Sequence, residues 1–106
     1  MNPENRVPDD CVPYRGTDVR TRRYRGRLFI ANTEQAYELN EAAEFVFRQI
    51  DGSTTVREMG VRLAAHYNYA VEDAVADTGE LISLFAERHV VEIVRAHAVA
   101  ESSSQS

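Results

Sequence analysis

The feature that most constrains this chain is the point at which its hydrophobic period changes. Before residue 40 the apolar positions alternate in short β-rich segments, and from residue 41 they recur every three to four residues. Runs of strands followed by runs of helices pack as α+β, with the helices laid on an antiparallel sheet. The sequence therefore predicts a winged-helix-like domain: a three-stranded antiparallel sheet followed by three helices.

The first two strands lie in Val19–Asn32, where Arg25-Gly26 supplies the positive φ of a tight reversal. A turn centred there pairs Arg23 with Leu28 and Thr21 with Ile30. Val19, Thr21, Leu28 and Ile30 then share one face, and Arg20, Arg22 and Phe29 the other. Asn32–Gln35 reverses the chain again, and Ala36–Leu39 forms a third strand with Tyr37 and Leu39 inward. Asn40 caps a helix over Glu41–Ile50, with Ala43, Val46, Phe47 and Ile50 on its apolar face. Thr55-Val-Arg-Glu58 is a capping box opening a second helix that buries Val56, Met59, Leu63 and Tyr67. A third helix spans about Val71–Arg88 through Ala74, Thr78, Leu81, Ile82 and Phe85, and Val90–Val94 reads as a closing strand.

Residues 1–17 hold all three prolines and no apolar period, and read as a flexible or loosely docked N-terminal arm. Residues 96–106 have little to bury and read as a disordered tail. The folded domain is thus 18–95. A unit of this size buries only about 60–65% of its unfolded surface, so it is expected to lean on a partner.

Charge and composition exclude several function classes. Residues 1–27 carry seven Arg against four acids, while the remainder carries five Arg against thirteen acids. An acidic chain of net charge −5 is a poor nucleic-acid binder by default, since phosphate neutralisation supplies most non-specific affinity. No apolar run is long enough to span a bilayer, and no apolar stretch behind a basic start suggests a secretory signal. The lone Cys11 fits a reducing cytoplasm. Cys11 stands between Asp10 and Val12 on a proline-bearing arm, neighbours that neither activate the thiol nor hold it still, and His66, His89 and His97 lack zinc-ligand spacing. With no lysine and no glycine-rich phosphate loop, no catalytic signature, cofactor site or metal site is expected.

Three features bear on binding. Asp73, Asp77 and Glu80 share a face of the third helix, either as a solvated surface or as a binding element. Arg20, Arg22, Arg23, Arg25 and Arg27 form a basic hairpin that could meet a nucleic-acid backbone, but the third helix is too acidic to enter a groove lined by phosphates. The third strand lies at a sheet edge, which is either blunted by Glu34 and Glu38 or open to an incoming peptide strand.

A family resemblance runs through the same residues. Leu39-Asn-Glu-Ala-Ala-Glu-Phe-Val-Phe47, Asp51-Gly52, Thr55-Val-Arg-Glu-Met59, Leu63, Tyr67, Asp77, Leu81-Ile82 and Val90-Val91 occur in an order and spacing similar to the PqqD family. That family is the peptide-recognition domain of pathways that modify ribosomally made peptides. The resemblance covers about Val19 to Val94. Phe47 stands where the family often has Trp, Thr78 where it often has Val, and His89 where it usually has Gly.

The resemblance implies a non-catalytic protein that binds the leader of a precursor peptide as an added strand and presents it to a modifying enzyme. In pyrroloquinoline quinone pathways the client is a radical SAM enzyme; in lasso-peptide pathways it is a leader peptidase with a cyclase. Carried onto this chain, Ala36, Tyr37, Glu38 and Leu39 would supply backbone bonds. Asp73, Ala74, Asp77, Thr78, Leu81 and Leu84 would line the groove, the two acids facing a basic leader residue. Arg20, Arg22 and Phe29 form a separate face on which the maturation enzyme could dock.

Overall fold

A computed structural model describes residues 7–94. The elements run β1 (Val12–Arg15), β2 (Arg20–Tyr24), β3 (Arg27–Ala31), β4 (Ala36–Leu39), α1 (Glu41–Arg48), α2 (Val56–Tyr67), α3 (Val71–Glu87) and β5 (Val91–Val94). The three-stranded sheet has the order β2-β3-β4 and is antiparallel throughout. Arg25 and Gly26 take φ of 52° and 79°, the left-handed pair that a two-residue hairpin loop requires. Arg23 faces Leu28 and Thr21 faces Ile30, the register that alternation predicts. At the second reversal, Asn32 Oδ1 accepts from the main-chain N–H groups of Glu34 and Gln35, both at 2.9 Å.

The inner face of this sheet presents Leu28, Ile30 and Leu39, all buried, to the helices. α1 starts where expected, with Asn40 Oδ1 accepting from Ala43 N–H at 2.8 Å. It ends two residues early, but Ile50 stays buried beyond its last turn. The capping box of α2 is complete: Glu58 N–H donates to Thr55 Oγ1 at 3.1 Å and Thr55 N–H to Glu58 Oε1 at 2.9 Å. Val56, Met59 and Leu63 are buried as their period requires, whereas Tyr67 is 40% exposed. The inward stripe of α2 runs instead through Gly60 and Ala64, and the Tyr67 ring packs edge-on against Phe45 and His66 at the surface. Gly60 permits a close approach of α3: a Cβ there would lie 2.5 Å from Val75 Cα.

The arm departs from expectation. From residue 7 onward the stretch read as flexible is packed into the domain, with Val7, Cys11 and Pro13 buried. β1 pairs antiparallel with β5 in a separate two-stranded sheet, Val12 opposite Val94 and Arg15 opposite Val91. The closing strand therefore exists, but its partner is the arm rather than the main sheet. The physical reason lies in groups that need partners. Cys11 C=O and Asp9 C=O accept from the Val56 and Arg57 N–H groups in the first turn of α2, which have no acceptor within the helix. Val7 N–H donates to the buried Ser83 Oγ at 2.9 Å, and the Arg15 guanidinium lies 4.5 Å from the Phe47 ring centroid. Prolines hide the arm's apolar period, yet its side chains cover core that so small a domain would otherwise expose. The first six residues of the arm and the tail 96–106 lie outside the described residues.

Candidate functional site

The pattern of ladder bonds decides which main-chain groups of β4 are free. Asn32 N–H donates to Gln35 C=O at 2.9 Å, so 32/35 is a hydrogen-bonded pair. Because such pairs alternate in an antiparallel ladder, Ile30/Tyr37 and Leu28/Leu39 are bonded too, and the N–H and C=O groups of Ala36 and Glu38 point away from β3. Among the described residues no strand pairs with that edge. Neither β1 nor β5 fills it, since they bond to each other.

Beside this edge a groove of about 160 Å³ runs between β4 and the C-terminal turns of α3. Tyr37, Glu38, Leu39 and Asn40 form one side, Leu81, Leu84, Phe85 and Arg88 the other, and Ile30, Ala43 and Val90 complete the lining. The Arg88 guanidinium lies 4.5 Å from the Tyr37 ring centroid. Asn32 Nδ2 donates to Arg88 C=O at 2.9 Å, tying the end of α3 to the β3–β4 turn. His89 follows with φ of 61°, the left-handed conformation that a glycine would adopt more cheaply. The Tyr37 hydroxyl is buried and has no hydrogen-bond partner among the described residues.

Of the residues expected to line the groove, Tyr37, Glu38, Leu39, Leu81 and Leu84 do so. Ala36 sits on the edge and lines the opposite face of the sheet. Ala74 and Thr78 do not reach the groove: both are fully buried, and Thr78 Oγ1 donates to Ala74 C=O at 2.8 Å. Asp73 and Asp77 are exposed and outside the groove, Asp77 accepting from Tyr69 Oη at 3.4 Å. Burial and the Asp77 contact raise the Tyr69 phenol above its ordinary pKa. Only the last turns of α3 meet β4, so the lining stripe is displaced towards the helix C-terminus. Phe85 and Arg88 extend the Leu81/Leu84 stripe at helical spacing, a signal present in the sequence.

The outer face of the sheet carries a second concavity, of about 610 Å³, lined by Arg20, Thr21, Arg22, Tyr24, Phe29, Ala31 and Ala36. Tyr24 is 53% exposed and meets Phe29 edge-to-face. The basic hairpin is divided. Arg23 pairs with Glu44 and Arg27 with Glu38, while Arg20 and Arg22 make no ion pair among the described residues. The Arg23 contact holds the Glu44 carboxyl below its ordinary range. No group of three or more His, Cys, Asp or Glu among the described residues could hold a metal ion, and no described helix is long and apolar enough to cross a membrane.

Fold and groove together define a small α+β domain whose last helix overhangs a sheet edge that no described strand pairs with. The model of the coenzyme PQQ synthesis protein D (PqqD) family matches residues 27–91, and the chain belongs to that family. Its fold is shared with the solution NMR structure of the PqqD truncation of Methylobacterium extorquens PqqCD, at a TM-score of 0.69 and 24% identity, over 87% of this chain and 99% of that one. The M. extorquens domain is a functional, stand-alone recognition element for ribosomally synthesized and post-translationally modified peptides. No curated protein matches the chain significantly. The resemblance read from the sequence holds, and so does the α+β fold with a three-stranded antiparallel sheet followed by three helices, to which β1 and β5 add a second, two-stranded sheet.

Proposed function

We propose that this protein binds the leader segment of a ribosomally made precursor peptide by strand addition to β4 and delivers it to a modifying enzyme. The observation that carries the reading is the outward-facing main chain of Ala36 and Glu38 beside an apolar groove. Strand addition draws affinity from main-chain bonds and selectivity from pockets that take alternate side chains, and both elements are present. Family membership supports the same reading. The protein supplies no chemistry of its own. Its client is a leader peptidase with a cyclase, as in lasso-peptide pathways, or a radical SAM enzyme, as in pyrroloquinoline quinone pathways. Arg20, Arg22 and Phe29, on the face away from the groove, are the docking surface for that enzyme. The nucleic-acid alternative is weaker because two of the five hairpin arginines are already paired with acids.

The test is an NMR titration of labelled protein with the leader of the precursor encoded beside it. Shifts should concentrate at residues 36–39 and 81–90. Ala36→Pro removes an outward N–H without touching the β3 ladder, a position where an edge strand tolerates proline. It should weaken binding while leaving the melting temperature nearly unchanged. Shifts confined to other residues, or leader peptides that bind equally well when N-methylated at alternate positions, would refute strand addition.

A further inference from the structure

Resting on that reading of the β4 edge, we infer that the groove selects an extended peptide bearing a carboxylate side chain, which Arg88 reads where it lies against Tyr37. Of the polar residues lining the groove, Asn40 is neutral and Glu38 is paired with Arg27. Arg88 is the remaining charge. Among the described residues no carboxylate lies within ion-pair distance of it, and its side-chain N–H donors meet no protein acceptor. A cation–π contact holds a guanidinium in place without occupying its N–H donors, which remain suited to a two-pronged contact with a carboxylate. The main chain beneath is fixed by the Asn32 bond to Arg88 C=O and by the Arg88 N–H bond to Leu84 C=O. The cation is therefore positioned before any ligand arrives.

A second observation comes from the same wall. Among the described residues the Tyr37 hydroxyl, buried in the same groove wall, has no hydrogen-bond partner, and an acceptor on an incoming peptide that shifts its cover would relieve the cost of leaving it so. The spacing of the sites follows from strand geometry. Side chains of an added strand that enter the groove are two residues apart, about 7 Å. The selected sequence therefore has Asp or Glu two positions from an apolar residue that packs on Leu81 and Leu84. This reverses the charge preference implied by Asp73 and Asp77, which lie outside the groove.

The experiment selects a display library of short random peptides on the wild-type protein, on Arg88→Glu and on Arg88→Gln. Arg88 is exposed, and amide spectra of the free variants confirm an unchanged fold. Wild type should enrich an acid two positions from an apolar anchor, Arg88→Glu should enrich Lys or Arg there, and Arg88→Gln should keep the anchor and lose the charge bias. Replacing the acid of a selected peptide by its amide should weaken wild-type binding about tenfold, the size of one charge-assisted bond at a partly exposed site, and Arg88→Gln binding little. Apolar anchors enriched with no charge preference, or with a preference unchanged in Arg88→Glu, would overturn the inference while leaving strand addition standing. Failure to enrich any extended pattern, or selected peptides whose shifts avoid β4, would remove both.

Discussion

Gly60→Ala sets local propensity directly against tertiary packing. Alanine favours a helix interior over glycine by about 1 kcal/mol, so α2 considered alone should gain stability. In the folded protein the new Cβ would lie 2.5 Å from Val75 Cα, 2.9 Å from Val75 N and 2.7 Å from Val75 Cγ2. Two of these three atoms are main chain, so no rotamer change relieves the contact. Reaching ordinary separation requires α2 and α3 to part by about 1 Å, and overpacking of this kind costs about 1–3 kcal/mol. With the rigid backbone contact placing the cost near the upper end, the net loss is about 2 kcal/mol. For a domain of this size that is a fall in Tm of about 10 °C. Urea denaturation monitored by circular dichroism would show a lower midpoint at an unchanged slope. Val75→Ala in the same chain should recover little, because it removes only the Cγ2 contact. A Gly60→Ala protein as stable as wild type, or more stable, would refute the argument that the two helix backbones touch here. The consequence also reaches the groove, since the far end of α3 forms one of its walls.

Three further predictions follow from particular residues. Replacing His89 by glycine should raise stability by about 0.5–1 kcal/mol, the left-handed strain relieved at φ of 61° less the extra unfolded-state freedom of glycine, seen as a higher urea midpoint; a lower midpoint would mean that the imidazole itself contributes. The carboxyls of Glu44, Asp51 and Glu58 are held below their ordinary ranges by Arg23, by the Ser53 and Thr54 N–H groups, and by the Thr55 N–H, respectively. Their contribution to stability is complete at neutral pH and is lost as pH falls below about 5 through the depressed folded values, so the urea midpoint should drop on acidification and drop less steeply in Glu58→Gln; a midpoint flat to pH 3 would contradict this. On the proposed function, reversing Arg20 and Arg22 to Glu should abolish co-purification with a modifying enzyme and leave leader affinity unchanged, as the two surfaces lie on opposite faces of the sheet; undiminished co-purification would refute the docking assignment.

What could be read from the residues alone were features whose partners lie close by in the chain. The Arg25-Gly26 reversal, the Asn40 cap on Ala43 and the Thr55–Glu58 capping box are each satisfied within three residues, so residue type and spacing suffice to specify them. The same holds for β4 as a strand and for the alternation that turns Tyr37 and Leu39 inward. The docking of the arm was hidden because its partners are remote: Val7 bonds Ser83, and β1 pairs with β5 at the other end of the chain. The groove shows the same division. A helical period names the residues that share a face of α3, but not how far along its axis the helix meets the sheet. That offset follows from the Gly60–Val75 approach and from the tie between Asn32 and Arg88. It buries Ala74 and Thr78, leaves Asp73 and Asp77 in solvent, and brings Arg88 onto Tyr37. Contacts between distant segments place side chains that local periodicity can only group.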